Sequence, residues 1–218
     1  MERLVIVESG GDEWIRVELR DVPVAIANGI RRMILREVPT MAVEEVLIIE
    51  NSSAMPNEIL AHRISLIPFV SDMDNYNLPE HCSCQSKLGC EKCVVRYVLR
   101  AEAGDAPITV YSRDMTPENP ETTVKPVSGN IPITMLAPGQ RIELELYVRL
   151  GQGKKHTKWQ AGIATLYEED GKNLLYIESF GFLPAKRMLK EAVNILRRKV
   201  DDMISECEVL FADAKEAS

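Results

Sequence analysis

The chain has no long apolar run. Its opening stretch MERLVIVESGGDEW holds only four consecutive apolar residues, Leu4 to Val7, too few for a signal-peptide core, and no later segment approaches a membrane span. A cytoplasmic protein without a membrane partner is therefore expected. Basic charge is not in excess either: 33 acidic against 26 basic residues leave a net charge of −7. Such a molecule repels a phosphate backbone, so no direct nucleic-acid binding is expected from this chain alone. Histidine is scarce, and His62, His81 and His156 are scattered. No Ser or Cys stands in a motif that would activate it, and there is neither an HExxH motif nor a paired-carboxylate signature. The basic, glycine-broken stretch Gly151 to Lys158, GQGKKHTK, lacks both the GxxxxGK[ST] spacing and a helix directly after it, which excludes a phosphate loop. Nothing here demands an enzyme. Five cysteines in an unsecreted chain argue against a disulfide framework and for metal or plain burial.

What is present reads as a mixed α+β chain of 218 residues, enough for one domain or two small ones. Ile15, Val17 and Leu19 alternate with Arg16, Glu18 and Arg20, the period of a half-buried strand, after a turn at Gly10 and Gly11. A helix follows in which Ile26, Ile30, Met33 and Ile34 fall on one face, opposite Asn28, Arg31, Arg32 and Glu37. Pro39 closes it. Val43 to Ile49 ends in four consecutive apolar residues, which suits a strand covered on both faces, although periodicity alone does not exclude helix. A helix near Asn57 to Ile64 precedes a loop from Ser71 to Pro79. Val95, Tyr97 and Leu99 alternate again, and Pro107 to Tyr111 is expected to pair with them across Ala103-Gly104-Asp105. Ile142, Leu144, Leu146, Val148 and Leu150 predict an antiparallel strand with one wet face. Ile163 to Tyr167 and Leu174 to Ser179 read as a hairpin joined through Asp170-Gly171.

From Pro184 onward the pattern is helical. Leu189, Leu196, Met203 and Leu210 occupy one heptad position, and Val193, Val200 and Cys207 the other. A seam this regular asks for a facing helix, although packing on the chain's own sheet satisfies the pattern equally well. Cys207 belongs to that seam as a small apolar residue.

The dense ligand cluster is HCSCQSKLGCEKC, His81 to Cys93, with Cys-x-Cys, five residues, then Cys-x-x-Cys. Cys82, Cys84, Cys90 and Cys93 can close a tetrahedral site, and Gly89 eases the backbone before the second pair. Zinc suits four thiolates best, and the site would be structural. An iron–sulfur cluster is the second candidate, although the ferredoxin spacing is missing; free or redox-active thiols are the third. His81 can substitute for a sulfur, but four cysteines leave it more naturally beside the site.

The Gly29-Ile30 step followed by Arg31-Arg32, the Val38-Pro39 stop, and the strand from Val43 carry a specific resemblance. Together with NEILAHRISLIPF at Asn57 to Phe69 and GKKHTKW at Gly153 to Trp159, they resemble the assembly subunits of cellular DNA-directed RNA polymerases. That family comprises an archaeal branch, which this chain resembles most, the eukaryotic third-largest subunit and the amino-terminal domain of bacterial alpha. The resemblance implies a discontinuous dimerisation domain, an antiparallel sheet plus two helices, at residues 1–49 and 160–218. A mainly β domain carrying the cysteine loop would be inserted at residues 50–159. It implies a non-catalytic scaffold that pairs with a small alpha-like subunit and forms the platform for two large catalytic subunits, with small accessory subunits nearby.

On that resemblance Ile26, Ile30, Met33 and Ile34, with Leu189, Val193, Leu196, Val200 and Met203, form the partner surface. Arg31 and Arg32 dock a large subunit, a role that suits the planar, bidentate guanidinium. His156, Lys158 and Trp159 would lie at or near a subunit contact. Some relatives carry a zinc-binding cysteine loop, and others an iron–sulfur insertion within the late hairpin. Only the short turn EEDGKN stands there in this chain, so the iron–sulfur role does not transfer. The rival reading is a stand-alone metalloprotein or redox protein built on the cysteine cluster.

Overall fold

The computed structural model describes residues 3–84 and 86–216 and divides into two compact units. The first is assembled from Met1–Val38, Gly162–Ser179 and Pro184–Ser218; the second is continuous over Pro39–Ala161 and adds Phe180–Leu183. The division falls at Val38 rather than near Ile49. The reason is the strand that begins at Pro39, which pairs along nearly its whole length with a strand of the second unit.

In the first unit, strands β1 (Leu4–Ser9), β2 (Trp14–Leu19), β9 (Gly162–Glu169) and β10 (Lys172–Ser179) form an antiparallel sheet of order β1-β2-β10-β9. Ile15, Val17 and Leu19 are buried, as their alternation predicts, and cross-strand pairs Val17–Leu175 and Ile15–Ile177 continue the apolar layer. The hairpin β9–β10 turns through Asp170 and Gly171, with φ of 52° and 73°. Two consecutive positive φ values match the twist of the flanking strands, which is why Asp-Gly stands there.

Helices α1 (Val24–Arg36) and α3 (Ala185–Glu216) pack within this unit. In α1 the buried residues are Ala27, Ile30 and Ile34, while Ile26 is 50% exposed and Met33 half-buried. The buried stripe is thus rotated from the predicted one and runs through Ala27 rather than Ile26. At Gly29 the atom nearest to the Cβ position is the Leu196 side chain of α3, 3.6 Å away.

In the second unit, β3 (Pro39–Asn51), β4 (Val95–Glu102), β6 (Met115–Pro117) and β8 (Arg141–Gln152) form a sheet of order β3-β8-β4-β6, and β5 (Ile108–Tyr111) pairs with β7 (Pro132–Leu136). Ile108–Tyr111 does not pair with β4 as the short turn suggested. The Ala103 amide instead donates to the Gln140 carbonyl, Gly139 donates back to Ala103, and the free edge of β4 is taken by β6. One sheet face buries Leu144, Leu146, Val148 and Leu99 against Leu60 and Ile64 of α2 (Asn57–Ser65), with Phe69 edge-on to Tyr97 at 5.5 Å.

The end of β3 is covered on one face only. Val46 and Ile48 join the core, whereas Leu47 and Ile49 are each 52% exposed. Strand β8 is wet on its outer face only in its first half: Glu143 and Glu145 are half-buried, but Tyr147, Arg149 and Gly151 are buried. The cysteine loop and the loop ending in Trp159 cover that second half.

Candidate metal centre and partner surface

The four predicted ligands come together. Cys82 Sγ lies 3.7 Å from Cys90 Sγ, Cys84 Sγ 3.8 Å from Cys93 Sγ, and Cys90 Sγ 3.8 Å from Cys93 Sγ. All four sulfurs lie within 4.8 Å of one another. Four sulfurs bound ~2.3 Å from one tetrahedral ion stand ~3.8 Å apart, so the cluster has the dimensions of a single-ion site. A polynuclear cluster would put its own iron and sulfide between the thiolates and spread them further. The Cys-x-x-Cys arm closes a tight turn: Cys93 and Val94 amides both donate to the Cys90 carbonyl at 2.9 Å, and the Cys90 amide points at Cys93 Sγ at 3.2 Å. Gly89 takes φ of 79°, and a Cβ there would meet Val94 at 2.2 Å, so glycine is required on both counts.

The thiols differ in acidity. The Ser86 backbone amide, then the Cys82 thiol, hold Cys84 down at about 7, whereas burial pushes Cys93 up to about 12. Four thiolates in so small a volume repel one another, and a cation is what lets them ionise together. The group can hold one metal ion with every coordination position filled by sulfur. His81 is exposed and not among the grouped ligands.

The loop is seated on β8. Tyr147 packs with Cys82, Cys93 and Val94, and buried Arg149 donates from Nη2 to the Lys87 carbonyl at 2.6 Å. Sequence reasoning missed both residues, because on a strand assigned a wet outer face they read as surface.

The predicted partner residues separate into three groups. Ile30, Ile34 and Leu189 lie in the first unit's own core, and Met33, Val193 and Leu196 are half-buried. Ile26, Val200 and Met203 are exposed, the last two by 47% and 64%. Among the α3 residues whose burial is described, the buried ones are Ala185, Met188, Leu189, Ala192 and Ile195, so the burial stops at Ile195 in a 32-residue helix. Beyond Leu196 the heptad seam runs into solvent through Val200, Met203, Cys207 and Leu210, with Ile204 and Val209 also exposed. Arg31 is half-buried and bonds Asn28 Oδ1 at 2.9 Å, while Arg32 is exposed.

Lys158 is tied within the second unit: Nζ donates to the Val43 carbonyl and pairs with Glu44, each at 3.0 Å, and lies 4.3 Å from the Trp159 ring centroid. Trp159 is buried, and exposed His156 accepts the Lys158 amide at Nδ1. No helix among the described residues is long and apolar enough to cross a membrane.

Comparison with known proteins agrees with this architecture. The sequence model of the RNA polymerase Rpb3/RpoA insert domain matches residues 44–166, over half of the chain and nearly the span of the second unit. The chain is similar to proteins named DNA-directed RNA polymerase subunit Rpo3. It is 39% identical to that of Methanocaldococcus jannaschii over 190 residues, which cover 86% of this chain and 87% of the relative. To that of Methanosphaera stadtmanae it is 42% identical over 73% of this chain but only 54% of the relative, so it spans about half of that protein's length. To that of Pyrobaculum arsenaticum it is 31% identical over 94% and 96% of the two chains. Identity of this order along most of the chain, with the insert domain in the second unit, shows that the chain belongs to the Rpb3/RpoA family of RNA polymerase subunits, of the archaeal Rpo3 kind.

Proposed function

We propose that this chain is the non-catalytic assembly subunit of a cytoplasmic DNA-directed RNA polymerase. It pairs with a small alpha-like subunit, and the pair forms the platform on which the two large catalytic subunits and small accessory subunits gather. One observation carries the reading: the α3 seam that begins buried at Leu189 continues at heptad spacing into solvent at Val200, Met203 and Leu210. An apolar seam left open on a helix about 48 Å long is what a facing helix of a partner would cover. Ile26 of α1 is a further exposed apolar residue of the same unit, and the exposed Arg32 supports a separate docking point for a large subunit.

The four-cysteine site binds zinc on this proposal. Tetrahedral sulfur suits that ion, and a centre closed by four thiolates leaves no position for substrate or water, which weighs against the stand-alone metalloprotein or redox reading. Cys82, Cys84, Cys90 and Cys93 would hold the ion, which supplies charge compensation and a crosslink. Tyr147 and Arg149 seat the loop on the sheet.

Coexpression with the small alpha-like subunit tests the pairing. A stable heterodimer is expected, and a soluble monomer indifferent to that subunit refutes the proposal. One zinc per colourless chain is expected from metal analysis, whereas visible absorption from iron would reassign the centre.

A further inference from the structure

Arg149 is a buried arginine in a protein without a catalytic role for it. Its Nη2 donates to the carbonyl of Lys87, at the tip of the cysteine loop between the two ligand pairs, at 2.6 Å. Its Nη1 lies 3.5 Å from Glu45 on the neighbouring strand β3, and its Nε is buried without a partner. Burying a guanidinium with one nitrogen unsatisfied costs free energy, so the residue must return something that a smaller side chain would not. What it returns is a link between two loops.

On one side, Arg149 holds the cysteine loop. On the other, its own carbonyl accepts the indole N–H of Trp159 at 3.3 Å, and the Trp159 ring covers Gly151, where a Cβ would meet the ring at 2.2 Å. A second link runs in parallel: Lys155 pairs with Glu80, in the single helical turn that leads into Cys82. The loop from Gly153 to Trp159 is thus tied to the cysteine loop at two points, just ahead of Cys82 and between the two ligand pairs. Glu44, Arg149, Lys155, His156 and Lys158 line a cleft of about 350 Å³ between them.

We infer that the cysteine loop and the Gly153–Trp159 loop are one cooperative module with Arg149 as its positioning residue, so that metal occupancy sets the order of the basic loop and of the cleft it lines. The inference rests on the metal reading above and adds a consequence to it. The metal crosslinks the ligand loop; that fixes the Lys87 carbonyl and Glu80; these in turn hold Arg149 and Lys155, and through them Trp159. Loss of the ion frees the ligand loop, which the HCSCQSKLGCEKC stretch cannot hold by apolar burial alone. The same chain runs backwards: removing Arg149 loosens the ligand loop and weakens the metal, as the loss of outer contacts around metal ligands does by roughly 10–100-fold.

Hydrogen exchange on the full chain, with zinc bound and after chelator treatment, tests this together with zinc affinity measured against a chromophoric competitor. Protection of the Lys155, Trp159 and Gln160 amides, which close the loop onto Gln152, His156 and Thr157, should fall at least tenfold on zinc removal, while Leu144 and Leu146 in β8 stay protected. Arg149→Met should lower zinc affinity by about tenfold or more, and Arg149→Lys should recover part of it. Lys155→Met, which removes only the half-exposed link to Glu80, should speed exchange at Lys155 and Trp159 and lower zinc affinity by less than Arg149→Met does. Purified chain without zinc overturns the metal reading. One zinc per chain with loop protection unchanged on chelation, or with undiminished affinity in Arg149→Met, overturns the coupling alone.

Discussion

Met203 lies on the solvent-facing half of α3 with 64% of its surface open. Truncating it should therefore leave the isolated chain within about 0.5 kcal/mol of its original stability. In the complex the outcome differs. Full burial of such a side chain is worth about 1.5–3 kcal/mol, and with two thirds of it still to be buried a partner helix would gain about 1–2 kcal/mol. Met203→Ala should weaken association with the small alpha-like partner by roughly 5–30-fold, at about 1.4 kcal/mol per tenfold. Met203→Asp adds an unpaired charge in the apolar seam, so the loss should exceed roughly 100-fold. Ile34→Ala is the internal control. Ile34 is fully buried in the first unit, and its truncation should cost the isolated chain about 2–5 kcal/mol in a denaturant melt. Titration calorimetry for Kd and denaturant melts for stability separate the two effects. If Met203→Asp binds that partner as tightly as the parent chain, or destabilises the isolated chain as Ile34→Ala does, the seam is not an interface.

Three further outcomes are expected. Cys90→Ser should abolish zinc retention, since it removes a sulfur that lies within 3.8 Å of two others, and an unchanged zinc content by elemental analysis would refute the ligand assignment. Gly171→Val should cost about 1–2 kcal/mol in thermal stability, because φ of 73° strains a branched side chain although nothing lies within 4 Å of its Cβ position; no loss would show that the turn rearranges freely. In the metal-free chain Cys84, held at about 7, is largely ionised at pH 8 and protonated at pH 6, whereas Cys93, at about 12, keeps its proton at both. Zinc binding should therefore release about one more proton at pH 6 than at pH 8, with affinity rising as pH rises; calorimetry in two buffers of different ionisation enthalpy gives the count, and equal counts would refute the ordering.

Much of the fold was legible as periodicity. Ile15, Val17 and Leu19, the β8 alternation, the Asp170-Gly171 hairpin and the four-cysteine spacing each rest on neighbours within a few residues, where backbone geometry alone dictates which side chains share a face. What failed was whatever depended on a distant segment. Ile108–Tyr111 has enough β character to pair with β4, and only the bonds between Ala103 and the Gly139–Gln140 turn send it to β7 instead. Leu47 and Ile49 look like core because hydrophobicity does not report that one sheet face stays open. Tyr147 and Arg149 look like surface because the loop that buries them starts over sixty residues earlier in the chain.

The sequence by itself determined many of the element types, the four-cysteine spacing and the heptad spacing of the last helix, because covalent spacing and side-chain chemistry set these before any tertiary contact forms. Which part of that seam is spent inside the chain was decided only in three dimensions. Gly29 lets α1 come close to Leu196 of α3, Leu189 is buried and Leu196 half-buried within the first unit, and the seam beyond is exposed. Close approach of two helices depends on small residues meeting across space, and no periodicity along one strand of sequence records where that meeting ends.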